Sequence, residues 1–220
     1  MKKTLISFFL GGALLTVAAV SCGKDKPLTS ETNEVTTTKD GAVYKVDTLN
    51  SKIEWKGFKV VKTDATNHFG TIKFESGDVT VKDGKLESGK FVADMNSLEN
   101  VDLKDDAEQK SKLEGHLKSG DFFETEKFPT ASYEITKVSE APAGGDYNAV
   151  LDGNLTIKGV TKPVQFNANI AVKENEVSIA TEPKDLLRED FGVKFQMPVQ
   201  NGLIKNEINI QILIKALKNS

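Results

Sequence analysis

The chain contains few of the residues that build disulfides, metal centres and catalytic pairs. Its 220 residues include one cysteine, two histidines and one tryptophan. A single cysteine cannot form a disulfide within the chain, so the fold must be held together by its hydrophobic core. The histidines, His68 and His116, have no cysteine or acidic cluster beside them at the spacing of metal ligands, so we expect no metal site.

Familiar catalytic motifs are also missing. The sequence has neither a Gly-x-Ser-x-Gly nucleophile elbow nor a glycine-rich phosphate loop, and it therefore predicts no catalytic residue and no cofactor. A surplus of basic residues is absent too, since the formal net charge is −3. A chain of this charge has no electrostatic footprint for nucleic acid, so we expect no nucleic-acid partner.

The N-terminus carries the pattern of an export signal. Lys2 and Lys3 precede an apolar run over residues 5–20, which is shorter than the roughly 20 apolar residues of a membrane-spanning helix. We therefore predict a signal peptide over residues 1–21. Its removal takes away both of these lysines and no acidic residue, so the formal net charge moves from −3 to −5.

The position of Cys22 indicates lipidation. The preceding Ala19-Val20-Ser21 resembles the lipobox of bacterial lipoproteins, although Ala19 stands where Leu is commoner. We predict that Cys22 carries lipid and anchors an exported protein in the bacterial cell envelope, facing the periplasm. The alternative is an unmodified cysteine near an ordinary cleavage site. Residues 22–40 are polar and predict a flexible tether, and residues 41–220 predict one domain.

Most of the domain alternates apolar and polar residues, which is typical of antiparallel strands with one face on a core. Many such strands joined by short turns, among them Asp83-Gly84 and Lys158-Gly159, favour a barrel or a sandwich. One helix is expected, over residues 105–118. The candidate strands cover residues 43–47, 52–59, 68–74, 78–81, 88–95, 130–138, 149–157, 163–172, 176–181 and 208–214.

The segment 114–136 departs from this alternation. It ends the predicted helix, breaks at Gly120 and brings Phe122, Phe123 and Phe128 close together in the sequence. Pro129 forbids a helix there and favours an extended Phe128. A group of three phenylalanines beside a helix end predicts a plug or lid for the sheet.

Several motifs occur in a characteristic order: Glu-Gly-His-Leu-Lys-Ser at 114–119, then Asp121-Phe122-Phe123, residues 127–131, and the run 154–164. Residues 47, 51–55, 94–98 and 188–192 continue the match. This pattern resembles the YceI family, exported bacterial proteins whose lipocalin-like barrels bind polyisoprenoid lipids. The resemblance implies an all-β fold, namely an antiparallel lipocalin-like barrel of roughly eight strands with one short α-helix.

If the barrel encloses a cavity, apolar residues on the inner face and in the lid would hold the lipid. Small residues at Gly57, Ala93, Gly153 and Ala168 would leave room for it. We predict an apolar tunnel between the sheet and residues 113–128. The predicted ligand-binding residues are Trp55, Phe91, Met95, His116, Phe122, Phe123, Phe128, Tyr133, Leu155, Phe166 and Arg188.

Two of these residues have alternative interpretations. His116 either hydrogen-bonds locally and fixes the helix end against the phenylalanines, or faces the polar head of a ligand. Arg188 is either an ordinary surface arginine or a charge at the barrel mouth that pairs with an anionic head group.

The expected function is binding of an isoprenoid or similar amphiphilic lipid, for transport, storage or sequestration, by a protein attached to the membrane through its N-terminal lipid. We expect no enzymatic activity. The alternatives are an enzyme acting on such a lipid and a ligand-free structural or stress lipoprotein. The sequence leaves the oligomeric state open.

Overall fold

The computed structural model describes residues 29–37, 40–198 and 200–218. The predicted signal peptide and Cys22 lie outside these residues. Within the described part, no helix is both long enough and apolar enough to span a bilayer. The strands are β1 (Ala42–Val46), β2 (Lys52–Val61), β3 (Asp64–Lys82), β4 (Lys85–Asp94), β5 (Glu99–Asn100), β6 (Thr130–Glu140), β7 (Ala149–Ile157), β8 (Val160–Val172), β9 (Glu176–Thr181), β10 (Lys184–Leu187) and β11 (Gly202–Lys218), and the α-helix α1 is Ala107–Lys118.

Eight of these strands close into a ring of antiparallel pairs. The order is β2-β3-β4-β6-β7-β8-β9-β11, and β11 pairs with both β9 and β2. The other three extend the ring at its edges: β1 pairs with β11 and β3 beyond the start of β2, β5 with β3 beyond the end of β4, and β10 with β11 beyond the end of β9. The prediction of an antiparallel barrel of roughly eight strands with one helix is confirmed.

Two tight turns fix the register of neighbouring strands. Asp83 and Gly84 have φ angles of 50° and 74°, and Lys158 and Gly159 have the same pair of values. Two successive residues with positive φ are the mark of a type I′ turn, whose twist matches that of the flanking strands. Glycine takes the second position at no steric cost. Both turns lie where the sequence predicts them.

The third strand is longer than the sequence indicates. Residues 68–74 and 78–81, predicted as separate strands, belong to the single strand β3, whose pairing with β4 shifts register between Phe74 and Ser76. Gly77 allows close packing here, since a Cβ on it would lie 2.7 Å from Val46 Cγ2. A bulge bends a strand without ending it. The alternation of apolar and polar residues is therefore interrupted at the bulge, although the strand continues through it.

The helix α1 covers one end of the barrel. It begins at Ala107, slightly later than predicted, because the Asp106 side chain caps it by accepting a hydrogen bond from Gln109 N at 3.0 Å. Glu114 accepts a hydrogen bond from Asn100 N at 2.8 Å and so ties the helix to β5. No residue of α1 is fully buried. The helix is therefore a cover on the barrel and not part of its core.

The two ends of the barrel are packed differently. We call the end that carries α1 the helix end; the β2–β3 turn, the β7–β8 turn and residues 192–198 lie there too. Toward the opposite end the lumen is filled, because Val79, Ile135, Val177 and Ala216 are at most 1% exposed. The apolar cavity inside the barrel therefore lies in the helix-end half.

Residues 29–37 lie along the outside of the barrel. Glu31 N donates to the Thr161 carbonyl at 2.8 Å, and Thr36 N donates to the Thr136 carbonyl at 3.0 Å. Asn154 also exchanges two hydrogen bonds with the backbone of this stretch. The flexible tether predicted for residues 22–40 is thus in contact with the domain over residues 29–37. Composition does not reveal this, because the contacts are backbone hydrogen bonds and not apolar burial.

Candidate functional site: an apolar cavity with an aromatic lid

A cavity of about 430 Å³ occupies the helix-end half of the barrel. This volume is in the usual range of small-molecule sites. Its walls are mainly aliphatic and aromatic. The strand residues that line the inner face are Ile53, Trp55, Gly57, Ile72, Phe74, Phe91, Ala93, Ala131, Tyr133, Leu155, Ile157, Ile208, Ile210 and Ile212.

Alternation along the strands explains why these side chains meet. On β2, the odd-numbered residues from Ile53 to Gly57 face the lumen, and their partners in the ladder share that face. Ile53 is opposite Ile72 on one side and Ile212 on the other. Trp55 is a wall residue whose indole N–H is buried without a hydrogen-bond partner among the described residues.

Small residues decide where the lumen stays open. No atom lies within 4 Å of the place where a Cβ on Gly57 would stand, and Ala93 also lines the cavity. In contrast, the Tyr133 ring covers Gly153, with its Cζ 2.3 Å from the place of a Cβ there. Ala168 is fully buried outside the cavity. Of the four small residues expected to leave room, only Gly57 and Ala93 do so.

The lid closes the helix end of the cavity. It consists of Leu113, His116 and Leu117 of α1, Phe122 and Phe123 after the helix, and Phe195 of the loop before β11. The Phe122 ring lies 5.3 Å from the Phe195 ring and 6.5 Å from the Phe123 ring, measured between centroids. Of the three phenylalanines predicted to form a lid from the irregular segment 114–136, Phe122 and Phe123 take part in it and Phe128 does not.

Backbone hydrogen bonds hold the two lid phenylalanines in place. Phe123 N donates to the Leu117 carbonyl at 3.1 Å, which uses one of the free carbonyls at the end of α1. Lys158 Nζ, in the β7–β8 turn, donates to the Phe122 carbonyl at 2.8 Å and lies 3.8 Å from the Glu124 carboxylate. The turn and the lid, which are distant in sequence, are therefore fixed to each other.

His116 packs between lid phenylalanines. Its ring centroid is 5.0 Å from that of Phe122 and 4.6 Å from that of Phe195, both in edge-to-face geometry. Its Nε2 is 3.2 Å from an Asp121 carboxylate oxygen. These contacts match the local interpretation of His116, in which it fixes the helix end against the phenylalanines, and they also bring it to the cavity wall.

Arg188 is buried, with 2% of its surface exposed, which excludes the interpretation of an ordinary surface arginine. Its guanidinium donates to three backbone carbonyls: those of Lys205 at 3.0 Å, Ile204 at 3.2 Å and Val193. Burial lowers the pKa of this guanidinium. Its donors are thus engaged by the backbone around the cavity rim, and the residue fixes the loop before β11 to β11 itself.

A second histidine, which the sequence did not single out as a site residue, also lines the cavity. His68 Nδ1 is 2.8 Å from an Asp102 carboxylate oxygen. Burial by itself raises the pKa of the Asp102 carboxyl, but hydrogen bonds from Phe69 N, His68 and Asn100 outweigh it and hold that pKa below its ordinary value. A carboxylate that orients a histidine is one part of a general-base pair. Within the described residues, Asp102 is the hydrogen-bond partner of His68, and no hydroxyl or thiol joins them.

Two predicted binding residues lie outside the cavity wall. Phe128 packs over the β7–β8 turn, where its ring would contact a Cβ on Gly159 at 2.8 Å. Phe166 is fully buried behind Tyr133, with the ring centroids 5.4 Å apart. The other predicted residues all line the cavity: Trp55, Phe91, Met95, His116, Phe122, Phe123, Tyr133, Leu155 and Arg188.

Near β11, the cavity wall includes residues from both faces of β2. Lys56 and Phe58 alternate with the inward residues of β2 and so belong to its outer face, yet both line the cavity together with Lys205. At this place the pairing of β11 with β2 shifts between Ile204 and Ile208. From the outward-facing lining residues and this irregularity we infer that the lumen has a side opening between β2 and β11.

Several wall residues were not anticipated: Ile204 and Ile208–Ile212 of β11, and Phe195, Met197 and Pro198 of the preceding loop. The alternation of apolar and polar residues in β11 shows that one of its faces is buried. It does not show which strands β11 pairs with. For the loop residues no periodic signal exists. In the described residues, no group of three or more His, Cys, Asp or Glu side chains is arranged to hold a metal ion.

Comparison with known proteins gives a consistent result. A family model described as YceI-like domain matches residues 44–216. The chain is similar to a UPF0312 protein of Shewanella baltica, at 25% identity over 99% of this chain and 100% of the relative. It is also similar to a UPF0312 protein of Pseudomonas aeruginosa, at 26% identity over 99% of each chain.

Solved structures share the fold. BcnA of Burkholderia cenocepacia superimposes with a TM-score of 0.58 at 22% identity, over 78% of this chain and 99% of that chain. A polyisoprenoid binding domain from Saccharophagus degradans, implicated in plant cell wall breakdown, gives a TM-score of 0.52 at 14% identity, over 81% of this chain and 99% of that chain.

Proposed function

The chain belongs to the YceI-like domain family, and from this premise we propose that it binds the apolar chain of an isoprenoid or a similar amphiphilic lipid in its cavity. The observation that carries the proposal is the apolar cavity of about 430 Å³ with an aromatic lid and a side opening. The description of the Saccharophagus degradans domain as polyisoprenoid binding supports it.

The physics of such a cavity favours a flexible apolar ligand. Burial of one CH₂ group contributes about 0.8 kcal/mol, so a five-carbon unit contributes about 4 kcal/mol before the costs of association. The wall offers few hydrogen-bonding groups, so selection among apolar chains would depend on shape. The polar head of an amphiphile would stay at the opening beside Lys56 and Lys205, where charged side chains are exposed to solvent.

The proposal has a direct test. The purified protein is examined by native mass spectrometry, and its lipids are extracted with organic solvent and identified. A lipid at close to one molecule per chain supports binding. An empty protein that also fails to take up an added polyprenol supports a ligand-free structural or stress role. The single tryptophan, Trp55, reports uptake, because it is a wall residue whose fluorescence changes when the cavity fills.

Enzymatic action on the same lipid is the alternative. Incubation of the loaded protein, followed by mass analysis of the extracted lipid, separates the two functions. A binding protein returns its ligand unchanged. A His68→Gln variant that abolishes a conversion seen with the unsubstituted protein would instead assign chemistry to the His68–Asp102 pair.

We further propose that the protein is exported and attached through lipidated Cys22 to the bacterial cell envelope, facing the periplasm. The support is the sequence around Cys22, which lies outside the described residues. Cys22→Ser should release the protein from the membrane fraction or block its processing. Unchanged mass and membrane association in this variant would contradict the proposal.

A further inference from the structure

The outer surface beside the cavity opening has an unusual composition. Lys56 and Phe58 both lie on the outer face of β2. Phe69 is opposite Lys56 in the β2–β3 pairing and therefore lies on the same face. Leu203 is opposite Val60, and Val101 N donates to the Phe69 carbonyl at 3.0 Å. We name this surface the opening patch: Lys56, Phe58, Phe69, Val101, Leu203 and Lys205.

The apolar members of the patch are exposed although they are large. Phe69 is 45% exposed, Val101 40% and Leu203 48%. Two lysines flank the Phe58 ring, with Lys56 Nζ 5.6 Å and Lys205 Nζ 5.7 Å from its centroid. Aromatic and aliphatic side chains beside lysines are the composition of surfaces that lie in the interface of a bilayer.

The charge around the opening is positive, although the chain as a whole is acidic. Lys56, Lys59, Lys62 and Lys205 surround it, and in the described part of the chain none of them forms an ion pair, whereas Glu54 on the same face is paired with Lys52 at 2.7 Å. Of the acidic residues near the opening, Asp102 interacts with His68 at 2.8 Å and Glu189 with Arg188 at 3.8 Å. Asp64 and Glu207 form no ion pair within the described residues, so the four lysines outnumber the carboxylates that could neutralise them. Anionic phospholipid head groups complement such a surplus.

The N-terminal stretch, residues 29–37, begins at the same end of the barrel as the opening patch. Residues 29–37 run along β6, β7 and β8, and Glu31 is held at Thr161, next to the β7–β8 turn at the helix end. Thr29 follows Cys22 by seven positions, and a chain extends at most about 3.5 Å per residue. If Cys22 is lipidated, as proposed above, the helix end therefore stays within roughly 25 Å of the membrane.

From these observations we infer that the opening patch docks on an anionic phospholipid bilayer, so that the side opening of the cavity faces the membrane. An amphiphile then moves between bilayer and cavity through the gap beside the β11 bulge, without passing its apolar chain through water. The N-terminal stretch keeps this end near the surface, and the patch sets the orientation.

The test places an environment-sensitive dye on two exposed apolar positions. Phe69→Cys puts it in the patch, and Leu49→Cys, 93% exposed in the turn between β1 and β2 and outside the patch, is the matched control. If Cys22 carries lipid, only the new thiol reacts, and the unsubstituted protein treated with the same dye verifies this. The labelled proteins are reconstituted with vesicles of phosphatidylcholine alone or mixed with phosphatidylglycerol, with and without a lipid-attached quencher.

The dye at position 69 should brighten and be quenched from the bilayer in the anionic vesicles, and the dye at position 49 should not respond. One basic residue near an anionic surface changes partitioning about fivefold, so Lys56→Gln with Lys205→Gln should lower the docked-to-undocked ratio roughly 25-fold. Equal responses at both positions, or a response independent of phosphatidylglycerol, would overturn the inference. Lipid content of the same samples, measured by extraction, shows separately whether the cavity binds a ligand.

Discussion

Filling the lumen at Gly57 should exclude the ligand while leaving the fold intact. A side chain added here enters open space, because nothing lies within 4 Å of the position of its Cβ, and the strand places it in the lumen between Trp55 and the opening. We therefore compare Gly57→Ala, Gly57→Leu and Gly57→Phe, which fill the lumen in graded steps without changing a hydrogen bond of the barrel.

The expected loss of binding free energy follows from the apolar ligand surface that the new side chain displaces from the cavity. Each CH₂ group of a ligand that the new side chain displaces costs about 0.8 kcal/mol, so loss of only two such contacts weakens binding more than tenfold. The added side chain also stabilises the empty protein: a buried Phe contributes about 1.5–3 kcal/mol, and replacing a strand glycine contributes about 0.5–1 kcal/mol more. For a domain of this size, each kcal/mol raises Tm by about 2–4 °C.

The assay measures co-purifying lipid by extraction and Tm on lipid-free samples. Lipid should fall from Ala to Leu to Phe while Tm rises. Gly153→Ala is the control, since a Cβ there meets Tyr133 Cζ at 2.3 Å and should lower Tm through overpacking. Full lipid occupancy in a stable Gly57→Phe protein would refute the placement of the ligand in this lumen.

Three further predictions concern stability, each measured by urea denaturation. Arg188→Met should lower the free energy of unfolding by about 3 kcal/mol, because it removes three hydrogen bonds that the guanidinium donates to rim carbonyls, although that of Ile204 keeps Gln196 Nε2 as a donor; an effect below 1 kcal/mol would contradict this. Burial raises the pKa of Tyr133, so the unfolded state loses a proton above pH ~10 that the folded state keeps, and stability should fall as pH rises past that point; Tyr133→Phe should remove this part of the loss. The lowered pKa of Asp102 contributes stability that is complete above pH ~4 and is lost as pH falls through the folded-state value, so Asp102→Asn should flatten the acid side of the profile.

The position and face of most strands could be predicted from the sequence. Strands β7 and β9 have the predicted bounds, and the turns at Asp83-Gly84 and Lys158-Gly159 have the φ angles that such residues favour. These features depend on neighbouring residues in the chain, so local composition reveals them. Where the chain bulges, as in β3 near Phe74, the alternation of apolar and polar residues is interrupted, and the sequence therefore predicts two strands in place of one.

The candidate site was only partly predictable for the same reason. Periodicity shows that Trp55, Tyr133 and Phe166 point inward, but not what faces each of them across the barrel. Tyr133 fills the space over Gly153, and its hydroxyl lies 3.0 Å from the carbonyls of both Leu151 and Val164, which share its single donor. Phe166 is therefore left behind Tyr133 and outside the cavity.

The sequence by itself determined one-sided antiparallel strands, an irregular phenylalanine segment and one helix, because hydrophobic period and turn chemistry are local properties. These left a barrel and a sandwich open, and the resemblance to the YceI family favoured the barrel. Only the tertiary structure decided which half of the lumen is empty, that Arg188 holds the rim from within, and that the opening lies between β2 and β11. These outcomes depend on contacts between residues far apart in the chain. Whether a small residue leaves a void or receives a neighbouring ring is decided only when the ring of strands closes.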